Sequence, residues 1–210
     1  GKGDTFFVPS LGLGEAYTYK LLNNIGETVR LIHAIRYAPS SSVRLETLKS
    51  FHQMLIDNDP KTIVPGKNDL PALLIDLYKH KLITAEQAAD LYDELDVKTK
   101  ASIDKRLKDN PDELKDLNNF SDYSASRKLL EDLEDLAFGS RRNMSESELN
   151  NLKSKFNELK SKPKIKDQLI KDGFITNTMF KSLEDFFENP QSSQDWLKEL
   201  SKSLRLSGVD

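Results

Sequence analysis

The chain has no cysteine. Disulfides, thiolate nucleophiles and Cys-ligated zinc are therefore excluded. Glycine (9) and proline (8) are scarce for 210 residues, which argues against a many-stranded fold with its frequent turns. No run approaches the roughly 20 apolar residues of a membrane-spanning helix. Only three histidines occur, His33, His52 and His80, and none has metalloprotease-type spacing. His33 and His52 flank apolar positions and read as core-edge residues. His80 sits between two lysines, a poor place for a cation. Net charge is −3, so nucleic acid is not an expected partner. "GLGEAYTYK" from Gly12 lacks the ending of a phosphate loop, and "DNDP" from Asp57 lacks the glycine and distal glutamate of a calcium loop. No catalytic residue, metal set or cofactor is expected.

What is present is helical periodicity. Leu21, Leu22, Ile25, Val29 and Ile32 form one apolar stripe. Leu45, Leu48, Phe51 and Leu55 form another, and similar stripes recur to Leu204. Pro, Gly or capping residues stand at nearly every break. The pattern predicts an all-α fold of nine or ten helices. It gives an irregular arm over 1–14, a leading helix over 15–39 and a helical unit over 41–109. A connecting region follows over 111–140, then a second unit over 145–206 and a tail over 207–210. Within the connection, one or two helical turns are expected over 112–119. A helix is expected from about Ser124 to Phe138, with Gly139 as its C′ residue. Because the first residue is Gly1, a longer parent chain is expected.

The two units share wording. Residues 77–95 and 169–187, "LYKHKLITAEQAADLYDEL" and "LIKDGFITNTMFKSLEDFF", agree at six of nineteen positions, against roughly one by chance. The shared Ile-Thr step marks two helix starts: Ile83 and Ile175 precede threonine caps, Thr84 and Thr176. Gln87 completes a capping box with Thr84, and Glu148 does so with Ser145. Two degenerate four-helix units are expected, with helices starting near Ser41, Leu70, Thr84 and Val97 and near Ser145, Lys164, Thr176 and Ser193.

Charge is uneven. Lys153 to Lys171 holds seven lysines against Glu158 and Asp167, whereas Glu86 to Asp96 holds five acids and no base. Arg141, Arg142, Lys160, Lys162, Lys164 and Lys166 form a candidate patch for an anionic lipid or an acidic partner. Phe6, Phe7, Leu11 and Leu13 form a candidate apolar contact arm. The acids Glu131, Asp132, Glu134 and Asp135 read as a solvated helix face.

The end of the chain, "LKELSKSLRLSGVD", with Glu199 upstream and Val209 near the end, resembles the polar, serine-containing C-terminal tails of bacterial type IV-secreted effector proteins. The whole chain resembles their helical accessory domains. That resemblance implies secretion of a soluble, cytoplasmic-type chain into a host cell. It also implies a partner there: a host GTPase, a ubiquitin-pathway protein or a phosphoinositide membrane. The leading expectation is a non-enzymatic helical interaction module that binds a protein partner. The alternatives are an anionic-membrane-binding domain and an enzyme of unrecognised type.

Overall fold

The structure is a computed structural model that describes residues 25–58, 68–141, 143–190 and 195–208. Phe6, Phe7, Leu11 and Leu13 of the expected arm, residues 15–24 of the leading helix, Arg142, and the expected caps Ser192 and Ser193 lie outside the described residues. Within them the fold is all-α, with ten helices and no strand.

The chain forms two compact units, Gly1–Ser121 and Asp122–Asp210. The first contains α1 (Ile25–Arg36), α2 (Ser41–Asn58), α3 (Leu70–Lys79), α4 (Ala85–Glu94) and α5 (Val97–Asp109). The second contains most of α6 (Phe120–Phe138), then α7 (Glu146–Lys160), α8 (Pro163–Lys171), α9 (Asn177–Glu188) and α10 (Trp196–Gly208). The division thus falls in the first turn of α6, inside the region read as a connection.

In the first unit α1 packs on α2, α2 on α3 and α4, and α3 on α4 and α5. Leu48, Phe51 and Leu55 of α2 meet a core that includes Leu73, Leu77, Leu91, Ile103 and Leu107, all buried. Arg44 ties this arrangement together. Its Nε donates to the Ile35 carbonyl at 2.8 Å, and its guanidinium pairs with Asp90 of α4 at 3.1 Å. Asp69, Thr84 and Asp96 cap α3, α4 and α5, each accepting a backbone N–H three residues on. The Thr84–Gln87 capping box is complete.

Four local expectations need correction. The sequence offers Ser41 or Ser42 as the cap of α2, but the cap is Ser40, whose hydroxyl accepts from the Val43 amide at 3.2 Å. Helix α6 begins at Phe120, about four residues early, because Phe120 and Tyr123 are core residues. Residues 111–119 form turns, with Lys115 left-handed at φ 62°, and no helix. Among the described residues the left-handed backbone belongs to Lys81, Lys115 and Gly173, not to Gly139. At Gly139 the constraint is steric: a Cβ there would collide with the Asp135 carbonyl oxygen.

In the second unit α7 packs on α8, and α9 packs on α10. Phe156 of α7 joins α9 through Phe180 and Phe187, with ring centroids 4.9 and 5.1 Å away. Tyr123 is fully buried, and its hydroxyl donates to Asp172 at 2.6 Å just after α8. Gln168 donates to the other oxygen of the same carboxylate at 2.9 Å.

The wording shared by the units reappears as shared backbone geometry, residue for residue, ninety-two positions apart. Pro71 and Pro163 both stand in the first turn of their helices. Those helices end in the same bonds: Lys81 to Tyr78 and Leu82 to Leu77 in one, Gly173 to Ile170 and Phe174 to Leu169 in the other. Lys81 and Gly173 hold the equivalent left-handed position, at φ 62° and 84°. Ile83 and Ile175 are then buried, and Thr84 and Thr176 cap the next helix. The fourth helix differs in its partner. In the first unit α5 packs chiefly on α3, whereas α10 packs on α9.

The left-handed position yields a prediction. At Gly173 there is open space where a Cβ would stand, so Gly173→Ala meets only backbone strain. It is expected to cost about 1–2 kcal/mol in urea unfolding. Lys81 already bears that strain. Its ammonium pairs with Asp116 at 2.7 Å and lies 4.6 Å from the Tyr78 ring centre, contacts that a glycine lacks. Lys81→Gly is therefore expected to be close to neutral.

Candidate binding site

The lysine-rich stretch runs from the middle of α7 to the end of α8, and Pro163 opens the second helix. Its cations diverge. Lys160 reaches α9, 3.3 Å from Glu184 and 3.4 Å from Glu188. Those two acids raise the Lys160 pKa, Glu184 through the larger effect. Lys162 turns to α6 and pairs with Asp122 at 3.0 Å. Lys166 lies over the Phe180 ring, 4.2 Å from its centre, and Lys164 is half-buried. Three lysines of the window that looks basic in sequence thus meet carboxylates or a ring that lie outside it.

Arg141 is similarly engaged. Its guanidinium makes two bonds to Glu148, at 2.7 and 2.8 Å, and a third to the Asn143 carbonyl. This explains why the predicted Ser145–Glu148 box forms only in part. The Ser145 hydroxyl accepts from the Glu148 amide, but the Glu148 carboxylate is drawn to Arg141. The Arg141 hydrogen bond holds the Glu148 carboxyl at about 2, far below its usual 4.5. A folded value below the unfolded one contributes stability above about pH 4.5 that is lost as pH falls through about 2. In a carbon-detected NMR titration Glu148 is expected to titrate near pH 2, and Arg141→Ala is expected to return it to the ordinary carboxylate range.

His52 is half-buried and bonded to the Asn68 carbonyl at 2.9 Å, as a core-edge residue should be. His33 differs from expectation: it is exposed and stacks on Tyr37, ring centres 4.5 Å apart. Among the described residues no group of His, Asp and Glu is placed to hold a metal. Asp76 on α3 has a raised pKa because burial disfavours its charge, against the opposing pull of Arg106.

Among the described residues, two concavities of the second unit exceed the cleft of about 310 Å³ between α9 and α10. One is the groove between α6 and α7, about 500 Å³, with Asp132, Asp135 and Glu148 on its walls beside Arg141 and Lys155. It carries both signs of charge, and its most prominent pair, Arg141–Glu148, is already closed on itself.

The other lies between the end of α6 and α10 and has a volume of about 530 Å³. Leu136 and Ala137 of α6 and Leu197 of α10 line it, with Lys198, Lys202 and Arg205 from α10 and Arg141 from the loop. No carboxylate lines it among the described residues. Helical geometry produces this. Leu200 and Leu204 turn into the core, which places Lys198, Lys202 and Arg205 on the exposed side of α10. Glu199 lines the α9–α10 cleft with Asp185, and Lys202 borders that cleft as well as the pocket. Lys198, Lys202 and Arg205 pair with no carboxylate among the described residues. Arg205 donates only to the Ser201 hydroxyl, at 3.4 Å.

The sequence predicts the last helix but not this site, because the cations of 197–210 read only as part of a polar C-terminal stretch. The helix continues through Gly208, with Leu200 and Leu204 buried. The available signal was the spacing of Leu197, Leu200 and Leu204, which fixes the face left to the cations. No described helix is long and apolar enough to cross a membrane. Comparison with protein-family models, with curated proteins and with solved structures gives no match for this chain.

Proposed function

We propose that the chain is a non-enzymatic helical interaction module whose ligand is a protein. The observation that supports this most is the α6–α10 pocket, where an apolar floor is bordered by basic side chains and no acid among the described residues. Apolar floors give contact area, and a charged rim gives orientation and steering. The effector resemblance of the sequence gives the partner class: a regulatory protein of a host cell, such as a GTPase. The test is capture from cytosolic lysate with the tagged chain immobilised. A saturable protein partner, displaced by free chain, is the expected result. Absence of any saturable partner together with a measurable hydrolytic activity of the chain overturns the reading.

A further inference from the structure

We infer that the α6–α10 pocket receives an acidic amphipathic helix of the partner, an assignment that rests on the interaction-module reading above. Lys198, Lys202 and Arg205 stand at i, i+4 and i+7 of α10. Those positions share one face and span roughly 10 Å along the axis. A helix laid beside α10 repeats its own side chains at the same intervals. Carboxylates at i, i+4 and i+7 therefore meet the three cations in register, and apolar side chains on the adjoining stripe reach Leu136, Ala137 and Leu197. This is the helix-in-groove mode of recognition, with charge complementarity setting the polarity of the ligand.

The pocket's chemistry selects the sign. Asp132 and Asp135 of α6 line the adjoining α6–α7 groove, which shares Leu136 and Arg141 with the pocket, and neither acid lines the pocket itself. A basic ligand in the α6–α10 pocket would find no counter-charge among the described lining residues. The pocket also argues for a helix over a lipid surface. Its cations border a concavity along a single helix. The lysines nearer a membrane-type patch, Lys160 and Lys162, are paired with acids of the same unit.

The experiment uses the full chain and a labelled helical peptide of roughly 14 residues, with Leu at i, i+4 and i+7 and Glu on the flanking stripe. A second peptide carries Lys in place of each Glu. Phosphatidylcholine vesicles with and without phosphatidylserine form a third arm. Fluorescence anisotropy is expected to show saturable binding of the Glu peptide that weakens as salt rises. Binding should weaken at least about tenfold in Lys198→Glu/Lys202→Glu/Arg205→Glu. All three side chains are exposed, so circular dichroism of the variant should match the wild type. The variant Lys98→Glu/Lys105→Glu/Lys108→Glu, on exposed positions of α5, controls for net charge and should bind the Glu peptide as the wild type does.

Failure of the Glu peptide to bind, equal binding of the Lys peptide, an equal loss in the α5 control, or preference for phosphatidylserine vesicles overturns the assignment. If the triple variant still captures the wild-type partner from lysate, the partner docks elsewhere. The pocket assignment then fails while the interaction-module reading stands. If the wild type captures nothing, that reading fails as well.

Discussion

Replacing Phe156 with alanine is expected to destabilise the second unit by about 3–5 kcal/mol. Phe156 is 1% exposed on α7. Its ring contacts Phe180 and Phe187, which in turn hold two successive turns of α9, and Phe187 packs edge-on to Phe186 at 4.9 Å. Removal of the ring leaves a void that α9 cannot fill by moving, because Leu183, between the two phenylalanines, is fully buried. Both the lost transfer energy and the unfilled cavity then count against the fold. Phe156→Leu keeps most of the volume and should cost clearly less. The chain has one tryptophan, Trp196, which is buried in the second unit. Its fluorescence during urea unfolding reads the effect there directly.

The second large effect concerns the repeated helix pair. Leu77→Ala and Leu169→Ala are each expected to cost about 2–5 kcal/mol, and to agree within about 1 kcal/mol. Both side chains are fully buried near the end of a short helix with proline in its first turn. Both backbone carbonyls accept the amide five residues on, at 2.9 and 3.0 Å, across the left-handed residue that reverses the chain. The isoleucines that precede the threonine caps, Ile83 and Ile175, are buried in both copies. Equal environments should give equal losses. A loss at Leu169 below about 1 kcal/mol, with a full loss at Leu77, would mean that the second copy keeps the backbone form without the packing. Far-UV circular dichroism in urea measures both variants on one scale.

These pairs also show what the sequence makes legible. Thr84 and Thr176 are readable because a cap and its target amide lie three residues apart, and nothing distant competes. The helix stripes are readable because periodicity alone decides which face is buried. Lys81 is not readable as left-handed, since a lysine gives no signal for that conformation. Its stabilising partners, Tyr78 and Asp116, act through tertiary contacts. The start of α6 reads late because polar residues at 121, 122 and 124 separate Phe120 and Tyr123 from the leucines that follow.

The site is less legible than the fold for a related reason. A lysine count over 153–171 is a property of the chain. Whether those lysines present a charge depends on Asp122, Glu184 and Glu188, which lie outside that window and come back to it only on folding. Conversely, Leu136 and Ala137 lie some sixty residues from Leu197, so no window contains the floor of the pocket. Helices α6 and α10 bring it together. The exposed cations of α10 acquire a role only beside that floor.

The most direct test of the account is a map of the binding surface by amide NMR, with the wild-type chain titrated by the Glu peptide. Shifts should concentrate at residues 136–141 and 197–205, follow the anisotropy isotherm, and vanish in Lys198→Glu/Lys202→Glu/Arg205→Glu. Shifts centred instead on residues 160–166, or a titration that leaves 197–205 unmoved, would contradict the central claim that the second unit binds its partner between α6 and α10.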